Sequence, residues 1–173
     1  MEVTKEDVCF YICEPVIHSL QDDRLSHVEK MKELKKQFAE EFPNCMIRGR
    51  VKSLSSIMGK IMQGRSIADV FGFKFVLDTN DTLACYSIYD RINKQFKIID
   101  FDDRIKTPKA NGYMDLKFVI VYNDIPIEFI IQTPEMYINS RFVQRHQLAY
   151  PWKYTDAIKK LPLEIGQINI DDI

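Results

Sequence analysis

Apolar residues fall along this chain in two rhythms. Leu25, Val28, Met31, Leu34, Phe38 and Phe42 recur every three or four residues, with charged residues filling the gaps. That spacing predicts an amphipathic helix, which Asp22 or Asp23 can cap and Pro43 ends. Further on, the apolar positions gather into short runs. Residues 45–52 predict a first strand that ends in the basic cluster Arg48, Arg50 and Lys52, and residues 67–77 predict a second with Asp69 at its mouth. Residues 97–101 predict a third. Two more runs, 116–122 and 125–131, are split by Asn123-Asp124, the signature of a hairpin turn. Helices are expected between them: 53–62 behind the N-cap Ser53, 78–96 behind Asp78 or Thr79, and 134–150 with Pro134 in its first turn. Upstream, residues 3–20 are broken by Pro15 and predict two short helices or one kinked helix.

The order helices, strand, helix, strand, helix, three strands, helix predicts an α+β fold, a mixed five-stranded sheet flanked by helices. Its organisation divides into N-terminal helices (1–44), a core (45–154) and a C-terminal extension (155–173), within one compact domain. Residues 161–173 carry no firm pattern and read as an extension or a partner-facing tail.

Composition narrows the picture. The chain has 173 residues, 46% hydrophobic and 28% charged, which suits an ordinary globular protein with a full core. A net charge of −1 removes any global electrostatic case for nucleic acid, while leaving room for a local basic groove. Cys9, Cys13, Cys45 and Cys85 form no C-x-x-C pair, so reduced thiols are expected rather than a zinc site or a disulfide. The start of the chain does not resemble a signal peptide, and no apolar run is long enough to span a membrane, so a cytoplasmic location is expected.

The candidate chemistry concentrates in residues 100–133. A basic loop, Lys106 to Asn111, ends at Gly112 and is followed at once by Tyr113. Glu128 stands alone inside an apolar run, and Asp69 beside another; such acids are costly unless paired or bound to a metal. Two carboxylates on adjacent strands can hold Mg²⁺ and, through it, phosphates. Arg50, Lys52, Lys60, Lys106 and Lys109 could neutralise those phosphates, and Tyr113 could stack on a base. Lys52, Ser56 and Lys60 fall four apart, on one face of a helix and its entry. Taken singly, each feature also fits a structural ion pair, a solvated face or ordinary core; together they point to phosphoryl-type transfer.

Four segments resemble the synthetase domain of the RelA/SpoT alarmone synthetases. Arg50-Val51-Lys52 with Ser56-Ile57 and Lys60 is similar to the family's ATP-binding segment. Asp69-Val70-Phe71-Gly72-Phe73 resembles the strand carrying its magnesium aspartate, and Pro108 to Tyr113 its acceptor loop. Ile127-Glu128-Phe129, with Thr133 and Met136 downstream, is similar to the strand with the essential glutamate. The resemblance covers roughly residues 45–154 and extends to the helix ending His146 to Tyr150. It implies a nucleotidyltransferase-like synthetase fold of the small, stand-alone type. It also implies an ATP-dependent pyrophosphokinase that transfers pyrophosphate to the ribose 3′-hydroxyl of GDP or GTP with Mg²⁺. In that scheme Asp69 and Glu128 are catalytic and metal-binding, Glu128 alternatively serving as the base. Arg50, Lys52, Ser56, Lys60 and Lys74 hold ATP. Lys109, Asn111, Tyr113 and Lys117 hold the acceptor.

Departures from the family pattern cluster on the acceptor side. Lys74 stands for an arginine, and Asp102-Asp103-Arg104 for Lys-Asp-Tyr. Asp115 replaces a serine, Lys117 a histidine, and Ile130 and Gln132 replace a glutamine and an arginine. They admit two alternatives. One is a toxin-type relative acting on tRNA 3′ ends or adenine nucleotides, with an antitoxin partner; the other is a non-catalytic nucleotide-binding member. A homo-oligomer is compatible with each. His18, His27 and His146 are not followed by Asp, so the His-Asp hydrolase motif of the long family members is missing.

Overall fold

The computed structural model describes residues 24–65, 67–142 and 166–172. Its elements are α1 (Val28–Glu41), β1 (Met46–Val51), α2 (Leu54–Met62), β2 (Phe71–Val76), α3 (Thr82–Gln95), β3 (Lys97–Asp103), β4 (Leu116–Tyr122), β5 (Ile125–Gln132), α4 (Pro134–Phe142) and β6 (Ile168–Asn169). The expected helices at 3–20, the Asp22 or Asp23 cap and the second half of helix 134–150 lie outside the described residues. Among the described residues no helix is long and apolar enough to cross a membrane.

The sheet has six strands, in the order β3-β4-β5-β2-β1-β6, rather than the expected five. Only β2 and β5 run parallel. The sixth strand pairs just two residues, Ile168 and Asn169, with Val51 and Arg50. Two residues are too few to show a period, which is why the sequence pattern passed over it. Ile168 and the following Ile170 are buried. Gly49 makes room for them: a Cβ there would stand 2.9 Å from both Ile170 Cγ1 and Phe73 Cε1.

Alternation along the strands sorts the sheet into two unlike faces. One rung aligns Gly49, Phe73, Phe129, Phe118 and Phe101. Helix α1 inserts Phe38 into this face, with ring centroids 5.7 Å from Phe73, 5.6 Å from Phe75 and 5.4 Å from Phe129. Phe118 and Phe129 stack at 5.2 Å, and Tyr89 of α3 closes on Phe118 at 5.1 Å. On the opposite face one rung aligns Arg48, Lys74, Ile130, Lys117 and Asp102, and the next aligns Arg50, Gly72, Glu128, Val119 and Asp100. The aromatic face is the core; the charged face carries the site.

Two local expectations are refined. The β4–β5 turn at Asn123-Asp124 has positive φ at both residues, 48° and 64°, the geometry whose twist matches a tight hairpin. The cap of α3 is Asp81, whose carboxylate accepts from Leu83 N at 2.9 Å, in place of Asp78 or Thr79. Its neighbours have other tasks: Thr79 Oγ1 accepts from Asp81 N at 3.2 Å, and Asn80 Oδ1 accepts from Glu135 N at 3.1 Å at the start of α4.

Phe38 contacts the sheet's central aromatics and has no exposed surface. Phe38→Ala is expected to lower unfolding free energy by about 3–5 kcal/mol in urea denaturation followed by circular dichroism.

Candidate active site

The chain leaves β1 at Val51, and the N–H of Lys52 donates to Val70 O at 2.7 Å, holding the start of α2 against the turn before β2. Ser53 caps α2, accepting from Ser56 N at 3.3 Å, and its hydroxyl donates to Ser56 Oγ at 2.9 Å. This places Lys52 before the helix and Lys60 in its last turn on either side of Asp69. Both ammoniums donate to Asp69 Oδ2, that of Lys60 at 2.6 Å. Ser56, expected beside them, is engaged with Ser53.

Lys52 and Asp69 are buried. Burial alone would raise the Asp69 carboxyl, but the two lysines hold it at about 2. Burial pulls Lys52 down to about 8 in spite of Asp69, with Lys60 and Arg50 pushing the same way. The two shifts agree once charges are counted: one acid meets two cations, while each cation shares one acid. The group carries a net positive charge that a phosphate would offset.

Asp69 Oδ1 is buried without a hydrogen-bond partner. An orphaned carboxylate oxygen is suited to a divalent cation. Among the described residues no three His, Cys, Asp or Glu side chains gather as a metal cluster, so substrate oxygens would have to complete the coordination.

Glu128 lies at the same end of the parallel β2/β5 pair, opposite Gly72. Arg50 Nη2 stands 3.8 Å from its Oε1 and Lys117 Nζ 3.3 Å from its Oε2. Arg50 passes close over Gly72: a Cβ there would stand 3.7 Å from Arg50 Nε and 3.4 Å from Glu128 O, which is ordinary contact. Lys74, one rung on, is pulled down to about 8 by burial, with Arg50, Arg141 and Arg48 adding to the effect and Asp115 opposing it. Its ammonium lies 5.6 Å from the centre of the Tyr137 ring.

The acceptor-like loop is tightly closed. Gly112 N donates to Lys109 O at 2.8 Å and Lys109 N to Tyr113 O at 3.1 Å. Asn111 Oδ1 accepts from Tyr113 N at 3.2 Å, so this side chain shapes the loop. Gly112 sits at φ +78°, a conformation that favours glycine. The Tyr113 ring is approached by Lys109 Nζ at 5.3 Å and by the Arg104 guanidinium at 5.9 Å. Burial, with Asp115 close to its hydroxyl, raises the Tyr113 phenol.

Sequence reasoning named the segment Asp102-Asp103-Arg104 and Asp115 as departures from the family pattern but passed over their part, with Tyr86, in holding this loop from behind. Asp103 accepts from Ile105 N at 3.1 Å and Lys106 N at 3.0 Å, and from the Tyr86 hydroxyl of α3 at 3.0 Å. Arg104 is gripped by Asp102 at 2.7 Å and Asp115 at 3.4 Å. The acid-rich run Asp100 to Asp103 was the available signal. An apolar cleft of 440 Å³, lined by Met46, Val76, Leu77, Pro134, Tyr137 and Ile138 among others, continues the same sheet face beyond Arg48 and Lys74, with Tyr137 reaching the Lys74 ammonium.

A charged sheet face, two buried acids each held by paired cations, and a basic loop with an aromatic form an arrangement chemically suited to phosphorylated ligands. The region found in RelA/SpoT proteins is recognised across residues 49–155, and the chain belongs to that family. It is 32% identical over 118 residues to a probable chloroplastic GTP diphosphokinase of Oryza sativa subsp. japonica, covering 64% of this chain and 16% of that protein. It is 27% identical over 135 residues to the bifunctional (p)ppGpp synthase/hydrolase of Escherichia coli K12, covering 73% of this chain and 19% of that protein. The chain thus spans less than a fifth of the length of either relative. Among solved structures, small alarmone synthetase 2 from Bacillus subtilis has the same fold, with a TM-score of 0.63 at 20% identity over 87% of this chain and 86% of that one. A GTP pyrophosphokinase family protein from Streptococcus pneumoniae matches with a TM-score of 0.61 at 21% identity, over 83% and 82% of the two chains.

Asp69→Asn leaves buried Lys52 and half-buried Lys60 without their anion and is expected to cost about 3–5 kcal/mol at neutral pH. The wild-type carboxyl, at about 2, lies below its ordinary value. Its contribution is therefore full above about pH 4 and lost as pH falls towards 2. Denaturation midpoints of the two proteins, measured across that range, should converge on the acid side.

Proposed function

We propose that this chain is a pyrophosphokinase that transfers the β,γ-pyrophosphoryl group of ATP to the ribose 3′-hydroxyl of a guanine nucleotide. The observation that carries this reading is the position of Glu128. It lies on the seam of the charged face, with donor-side Arg50 at 3.8 Å and acceptor-side Lys117 at 3.3 Å. Family membership and the activities named for the relatives support it.

In this scheme Arg50, Lys52, Lys60 and Lys74 take the triphosphate, the lysines exchanging Asp69 for phosphate oxygens. Ser56 lies in the same helix turn as the cap. Asp69, with its orphaned Oδ1, would hold Mg²⁺, which neutralises charge developing on the phosphates. Glu128 suits a metal less, because both its oxygens face cations. It suits a base: it takes the proton of the 3′-hydroxyl as that oxygen attacks the β-phosphorus. The bond from the β-phosphorus to the α–β bridging oxygen breaks, and AMP leaves. Lys109, Tyr113 and Lys117 position the acceptor, within a loop that Asn111 shapes.

A second reading keeps the transfer and changes the acceptor to an adenine nucleotide or a tRNA 3′ end. Lys117, which departs from the family pattern, favours it.

Purified protein incubated with γ-³²P-ATP, Mg²⁺ and, in parallel, GDP, GTP, ADP, AMP or bulk tRNA tests both readings. Label should appear in the guanine nucleotides, and Glu128→Gln should reduce the rate by about 10²-fold or more. Label confined to ADP, AMP or tRNA transfers the assignment to the second reading, and no label in any acceptor refutes both.

A further inference from the structure

Two buried hydrogen-bond acceptors beside the acceptor loop have no donor. Asp115 and Gln132 have no exposed surface, and neither Asp115 Oδ2 nor Gln132 Oε1 has a partner. The two residues are cross-strand neighbours. Leu116 pairs with Ile131, so the next rung sets Asp115 opposite Gln132. Both fall on the charged face, two residues from Lys117 and Ile130 respectively.

The remaining polar atoms of the pair are committed. Gln132 Nε2 donates to Met114 O at 3.0 Å, and Asp115 Oδ1 accepts from Arg104 Nη1 at 3.4 Å. Native structures retain few unmet buried acceptors, and two in one rung call for two adjacent donors from elsewhere. The family pattern has a serine and an arginine at these places, both able to donate. Here the atoms left open at these places, a carboxylate oxygen and an amide oxygen, can only accept.

We propose that Asp115 and Gln132 read the base of the acceptor, taking the adjacent N1–H and N2–H₂ donors of a guanine stacked on Tyr113. The proposal rests on the reading of Tyr113 as the acceptor platform. Adenine offers one amine beside an acceptor nitrogen, which would face the carboxylate lone pairs. Hypoxanthine keeps N1–H and lacks the amine. The Tyr113 hydroxyl is close to Asp115 in the absence of a base. That hydroxyl leaves Asp115 Oδ2 unsatisfied, so the donor edge of a base stacked on the ring meets an oxygen still open.

Equilibrium binding of GDP, IDP and ADP to the full chain, without ATP, isolates this step from turnover. Wild-type protein should bind GDP about tenfold or more tightly than IDP, and ADP least, the scale of one hydrogen bond to a charged acceptor. Asp115→Asn and Asp115→Ser should narrow the GDP/IDP ratio to within about threefold. Thermal stabilisation by a non-hydrolysable ATP analogue, retained in both variants, shows that they fold. Equal wild-type affinity for GDP and IDP overturns the proposal, as does a ratio unchanged in both folded variants. GDP preference without any transfer keeps the base-reading pair and refutes the pyrophosphokinase. Transfer to guanine without GDP/IDP discrimination does the reverse.

Discussion

The strict alternation of side chains across a β-strand is the constraint on which this molecule depends. A strand that presents Arg50 on one side presents Gly49 and Val51 on the other. The charges of the site are therefore tolerable only because the reverse face is closed. Phe38 closes it, meeting Phe73, Phe75 and Phe129 with its ring edge-on at 71° to 88°. The rings add the favourable edge-to-face geometry to a large buried apolar area. That packing fixes the strand register, and the register fixes which cation meets which acid. A one-residue slip of β5 against β2 would turn Glu128 into the aromatic layer.

The charged face works with an excess of cations. Asp69 is shared by Lys52 and Lys60, and Glu128 by Arg50 and Lys117. Such partners keep both acids in place before any ligand arrives, which offsets the cost of burying them. The same ammoniums are then available to phosphate, since a lysine that loses a carboxylate and gains a phosphate oxygen remains paired. The side that carries the basic loop is more heavily compensated. There Asp102 and Asp115 hold Arg104, and Asp103 lies 3.7 Å from Lys106.

Much of the fold was legible in the sequence because its signals are local. The period of α1, the Asn123-Asp124 turn and the Ser53 cap each follow from neighbouring residues. The sixth strand was not, because two residues joined to β1 from more than 100 positions away carry no pattern of their own. The cap of α3 moved to Asp81 because four polar residues in a row, 78–81, compete, and tertiary contacts with α4 decide between them. Of the site, Asp69, Glu128 and their cations were visible as residue types. Their pairings were not, since Arg50–Glu128 and Lys117–Glu128 arise from three strands.

On the proposed function, the lysines on Asp69 stand in for a ligand that brings both phosphate and metal. A bare divalent cation would meet the positive charge of Lys52 and Lys60; a nucleotide would draw those lysines away and leave Asp69 Oδ1 open to it. The direct measurement is a melting-temperature titration with Mg²⁺, in the absence and presence of a non-hydrolysable ATP analogue. The account predicts no rise with Mg²⁺ alone, a rise with the analogue, and a further rise when Mg²⁺ is added to the complex. A Mg²⁺ effect of the same size with and without the nucleotide would contradict it.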